Sequence, residues 1–140
     1  MSQSDPLNLH IAFCKRPPDA EPGYPQHWLL ILSPPNHKIG TYYHAVGVPG
    51  VGAPYTRAIE ANKRLDNYAF SKIELICTIP AAHQERVRAA CDAVQPVYCQ
   101  SYVLDVLKIL ERHGVVPRGT VATYTPRMEK NPWAKKQAWD

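Results

Sequence analysis

Nowhere in the chain does an apolar run approach the ~20 residues that a membrane-spanning helix needs, so no bilayer span is expected. The opening stretch MSQSDPLNLH lacks a basic segment followed by a long apolar one, so it does not read as a secretory signal. Net charge is +4, yet the longest basic clusters are pairs, such as Lys15-Arg16 and Lys135-Lys136. A nucleic-acid surface wants a basic stripe with interleaved aromatics; none is present, and no nucleic-acid partner is expected. No C-x-x-C pair occurs among Cys14, Cys77, Cys91 and Cys99, so a structural zinc site lacks its usual spacing. His10 and Cys14 stand four apart, a metal spacing on a helix, but LNLHIAFCKRP reads as a strand. An even cysteine count invites disulfides, yet without an export signal the expected setting is the reducing cytosol. The expectation is a soluble, cytoplasmic protein with no metal and no organic cofactor.

Internal repeats and linkers are also missing, so residues 1–140 read as one domain with a polar C-terminal arm over 120–140. Proline is plentiful at 14, and the prolines fall mostly between apolar runs, where they mark turns. LNLHIAF (7–13) reads as a first strand and residues 15–26 as a loop. HWLLILS (27–33) is a near-continuous apolar run of strand length, and TYYHAVGVPG (41–50) is β-rich; PPNHKIG between them predicts an antiparallel hairpin. Residues 51–68 read either as a helix from Thr56 or as an extended excursion, and AFSKIELICTI (69–79) as a further strand. PAAHQERVRAACDAV (80–94) predicts a helix with Val87, Ala90, Cys91 and Val94 on one face. YCQSYVLDVLKILERHG (98–114) predicts the strongest helix, stopped by Gly114. Strands first and helices after imply an α+β fold with a small antiparallel sheet.

Cysteine chemistry needs a thiolate, and free N–H groups at a helix N-terminus help to make one. Cys99 stands at the head of the strongest helix, whereas Cys77 and Cys91 look like small buried apolar residues. A thiol also needs a base with an orienting partner. If the hairpin turns about Pro35-Asn36, positions whose numbers sum to 71 face one another, and His27 and His44 do so. This gives a candidate set of Cys99 as nucleophile, His27 as base and His44 as orienting residue, with helix-head N–H groups at the oxyanion and Gln100 or Tyr98 assisting. Two other classes stay open: a non-catalytic binding module, and an isomerase or lyase using His27 and His44 without Cys99.

The stretches QHWLLIL, YHAVG and YCQSYVLDVL resemble the circularly permuted branch of the papain-like, NlpC-type thiol enzymes, and within it the lecithin:retinol acyltransferase family. The resemblance spans roughly residues 24–113 and rests on the order His before Cys. It implies a permuted papain-like architecture with His27 as base, His44 as third residue, Cys99 as nucleophile and Trp28 as the aromatic after the base. It departs from that family at Tyr98, at Gln100-Ser101-Tyr102, in a longer loop between the histidines, and in lacking an apolar C-terminal anchor. The implied activity is acyl transfer through a Cys99 thioester, as an amide, ester or thioester hydrolase or an acyltransferase. The partner is a small-molecule or peptide acyl substrate; substrate identity and oligomeric state are left open.

Overall fold

The computed structural model describes residues 5–48 and 52–132. Five strands come first: β1 (Pro6–Cys14), β2 (Trp28–Ser33), β3 (Ile39–Val48), β4 (Ala53–Arg64) and β5 (Phe70–Pro80). They form one antiparallel sheet in the order β4-β3-β2-β1-β5. Helices follow: α1 (Gln84–Ala93), α2 (Cys99–Arg112) and the short α3 (Thr120–Tyr124). The fold is therefore α+β, as the order of patterns implied.

β2 is central and buried on both faces, which is why its sequence is a near-continuous apolar run rather than an alternating one. Trp28, Leu30 and Leu32 join Leu9, Ile11 and Tyr43 beneath the helices, where Val103, Val106, Leu107 and Leu110 of α2 complete the main core. Leu29 and Ile31 face the other way, into a smaller cluster with Ala12 and Tyr42. α2 lies against β2 and β3. Its far end closes as expected at Gly114, whose φ of 72° lets the Val115 N–H reach the Leu110 carbonyl at 2.8 Å.

Three expectations shift. The helix over 80–94 is a 3-10 turn (Ala81–His83) followed by α1; Pro80 ends β5 instead of opening the helix. Its expected inward face holds, with Val87, Ala90, Cys91 and Val94 all buried. Residues 51–68, open between helix and extended chain, hold the edge strand β4. The Arg57 guanidinium pins this edge to α1 by donating to the Cys91 and Val94 carbonyls at 2.8 and 2.7 Å. Those carbonyls end a helix and have no acceptor role within it, so a cation suits them. Finally, the arm read as polar carries α3 and a 3-10 turn (Thr125–Arg127). Residues 133–140, with Trp133 and Trp139, lie outside the described residues.

The β2–β3 register is Leu30↔Tyr43, Ile31↔Tyr42 and Leu32↔Thr41. Partners sum to 73, not 71, because the turn centres one residue later, at Asn36-His37, with Asn36 at φ 64°. A shift of two in the sum keeps every side chain on its expected face. His27 and His44 are therefore diagonal rather than directly opposite.

Candidate active site

α2 begins at Cys99, preceded by Tyr98 in an extended conformation and with no side-chain cap on its first turn. Main-chain N–H groups at its head stay available to the thiol. The Cys99 thiol donates to the Gln26 carbonyl at 3.7 Å. The Trp28 N–H, the Tyr55 hydroxyl and the N–H groups of Gln100 and Cys99 lie as donors to the sulfur. The sulfur thus rests against the main chain on both sides of His27. Burial pushes the thiol above its ordinary range; the four donors oppose that push without reversing it. The resting sulfur is a neutral thiol in a cradle built for an anion.

The histidines form a chain. His27 Nε2 is 2.7 Å from His44 Nδ1, and His44 Nε2 is 2.6 Å from Glu60 Oε1. A carboxylate only accepts, so His44 carries its proton on Nε2 and presents a lone pair at Nδ1. That lone pair accepts from His27 Nε2–H, which leaves His27 Nδ1 unprotonated. One carboxylate therefore fixes two tautomers in series and ends in a basic nitrogen. Burial chiefly, and then the positive charge His44 would carry, pull His27 down to about 4 against a smaller opposing effect of Glu60. His44 is likewise lowered, by burial first, with Glu60 pulling upward. Both rings are neutral at physiological pH.

The residues singled out from sequence divide into two groups. His27 and His44 come together, and the Cys99 sulfur rests against the main chain of Gln26 and Trp28 on either side of His27. The Trp28 ring does not reach that space: it is 1% exposed and stands edge-on to Phe13 at 5.2 Å, so its main-chain N–H is what serves the sulfur. Gln100 is 0% exposed, and its amide donates to the Gln26 carbonyl at 2.8 Å and to Glu129 at 3.0 Å, which makes it a strut with no proton spare for an oxyanion. Tyr98 donates its hydroxyl to the Glu129 carbonyl at 3.1 Å. The phenol at the sulfur belongs instead to Tyr55 of β4, whose ring packs edge-on to Tyr98 at 6.3 Å.

Sequence reasoning missed Tyr55 and Glu60, both on β4. Strand alternation was their signal: Tyr55, Arg57 and Ile59 turn to the helices while Ala58 and Glu60 turn with His44, given the pairs Tyr42↔Glu60 and His44↔Ala58. Among the described residues no three His, Cys, Asp or Glu side chains converge as metal ligands; the facing imidazole nitrogens are spent on one another.

No curated protein and no solved structure matches the chain. Residues 17–117 match the model of a family of unknown function, DUF6540, and with most of its length inside that match the chain belongs to this family.

Proposed function

We propose that this protein is a cysteine-dependent acyl-transfer enzyme of the permuted papain-like kind, working through a thioester on Cys99. The observation that carries the reading is the directional chain from Glu60 through His44 to His27, which ends in an unprotonated nitrogen at the residue whose flanking main chain holds the Cys99 sulfur. The order His27, His44, Cys99, with His27 immediately before β2, His44 on the neighbouring β3 and the thiol at a helix head, supports the permuted architecture.

In this reading His27 Nδ1 takes the thiol proton as the sulfur attacks an amide, ester or thioester carbonyl. The new imidazolium is steadied by His44 and, through it, Glu60. The carbonyl oxygen gains negative charge and is met by the N–H groups at the head of α2 and by the Tyr55 hydroxyl. His27 returns the proton to the leaving group, and water, an amine or an alcohol resolves the acyl-enzyme. Proton transfer occurs during attack, because thiol and imidazole are both neutral at rest. No step of this mechanism calls for a metal or organic cofactor, and the acyl donor it takes is a small molecule or a peptide.

A second reading has its own observation. Cys99 is only 3% exposed and hydrogen bonds to a carbonyl, while the histidine chain is complete without it. His27 and His44 alone then serve an isomerase or lyase. Incubation with p-nitrophenyl acetate followed by peptide mass spectrometry separates the two. Acetyl on Cys99, slowed in His27→Ala, is the expected result; an unmodified Cys99 would overturn the thioester mechanism and leave the acid–base one.

A further inference from the structure

Gln26 precedes the base and Gln100 follows the nucleophile, and one carboxylate holds both. Glu129 Oε1 accepts the Gln26 N–H at 2.8 Å and a Gln100 side-chain N–H at 3.0 Å. The Gln100 amide nitrogen also donates to the Gln26 carbonyl at 2.8 Å, closing a three-membered ring of hydrogen bonds. The contact is returned from the main chain: the Glu129 N–H donates to Gln100 Oε1 at 2.6 Å, and the Tyr98 hydroxyl donates to the Glu129 carbonyl at 3.1 Å. The Arg16 guanidinium pairs with the other carboxylate oxygen. Every member of the ring adjoins Cys99 or His27 in sequence except Glu129 itself, which arrives on the C-terminal arm. It lies beyond residue 117, where the family match ends.

Resting on the acyl-transfer reading, we propose that Glu129 is a positioning residue that sets the spacing between the Cys99 thiol and the His27 imidazole by clamping the main chain before one to the side chain after the other. Gln100 is fully buried, so without the carboxylate one of its N–H groups has no water to turn to. Burial favours a protonated Glu129, but the Gln26 N–H, Gln100 and Arg16 outweigh it and hold the carboxyl below its usual range. The clamp is therefore charged throughout the neutral range. The chemistry is sensitive to it because a displacement of about 1 Å between reacting groups can cost on the order of a hundredfold in rate.

The test is a double-mutant comparison read as the acetylation rate of Cys99 by p-nitrophenyl acetate, with Cys91 as a folding control. His27→Ala is expected to slow Cys99 in the wild-type background by about a hundredfold. In a Glu129→Ala background the same change is expected to cost no more than a few-fold, since the base is no longer in place to be lost. Glu129→Gln keeps an amide oxygen for both acceptor bonds and is expected to restore most of the dependence on His27, which a merely stabilising residue would not govern. A full His27 effect in Glu129→Ala would overturn the clamp and leave the acyl-transfer reading standing; no His27 effect in the wild type would overturn both. Should Glu129→Ala unfold, exposing Cys91 to acetylation, Glu129→Asp shortens the clamp with its charge intact. A partial loss of His27 dependence is expected there, and full dependence would again overturn the proposal.

Discussion

The core beneath α1 and the head of α2 each bury a cysteine, Cys91 at 0% exposure and Cys99 at 3%. Burial raises both thiols, Cys91 to about 12. Their surroundings differ in kind. Cys91 stands in the main apolar cluster, where Arg57 and the Tyr102 hydroxyl donate to its carbonyl and the Tyr102 hydroxyl also reaches its sulfur, but among the described residues no main-chain N–H groups gather at that sulfur as they do at Cys99. Cys99 opens a helix, so main-chain N–H groups surround its sulfur at no cost to the helix ladder. Depth is nearly equal; what sets the two regions apart is the set of main-chain donors at the Cys99 sulfur, drawn in part from the residue next to His27. In the proposed mechanism an active thiol is a matter of neighbours and not of exposure.

That contrast breaks most sharply by exchange of sulfur for oxygen. Cys99→Ser is expected to abolish acetylation by p-nitrophenyl acetate with the fold intact by circular dichroism. Cys91→Ser is expected to leave Cys99 acetylation in place and to cost roughly 1–3 kcal/mol in denaturant unfolding, because it buries a hydroxyl in an apolar cluster.

Acid sharpens the same comparison through stability. The folded-state value for His27 is about 4, below the ordinary 6.5, so between those values the unfolded chain binds a proton that the native protein excludes. Stability therefore rises with pH across that window and is lost as pH falls from 6.5 toward 4, by up to about 3 kcal/mol from His27 alone. Thermal melts at pH 4 to 7 check this, and His27→Gln should flatten the curve. A curve equally steep in the variant would count against a buried neutral imidazole.

A smaller effect is expected at Glu60, which touches neither the sulfur nor the substrate. Glu60→Gln is expected to lower the Cys99 acylation rate by roughly tenfold, less than the ~10²–10⁴ that a general base itself contributes, with little change in melting temperature because the side chain is 40% exposed. Unchanged acylation would show that His44 orients His27 without help.

How much of this was legible in the sequence follows from where each interaction lies along the chain. β2 and α2 are local patterns: an apolar run of strand length, and an amphipathic stretch with a glycine at its stop. His27 and His44 were placed on one face because alternation within a hairpin is robust to an error of two in register, and the true turn lay one residue later than expected. β4 was left open because its middle, RAIEANKR, holds good helix formers, and tertiary pairing with β3 outweighs that local preference. The loss of Tyr55 and Glu60 from the expected site followed directly. Trp28 and Gln100 stood in the right segments, but the sequence does not tell a core indole or a buried strut from a group that meets substrate. Glu129 was beyond reach: PRMEKNP carries no local pattern, and its partners stand 29 and 103 residues away.

The most direct measurement is the tautomer and protonation state of His27, read from the 15N chemical shifts of its ring as pH is lowered from 8 to 4. The Glu60–His44–His27 chain predicts a neutral ring with the proton on Nε2 and a lone pair on Nδ1, persisting down to about pH 4. A proton on Nδ1 at neutral pH, or an imidazolium already formed at pH 6, would contradict a base oriented toward the Cys99 thiol.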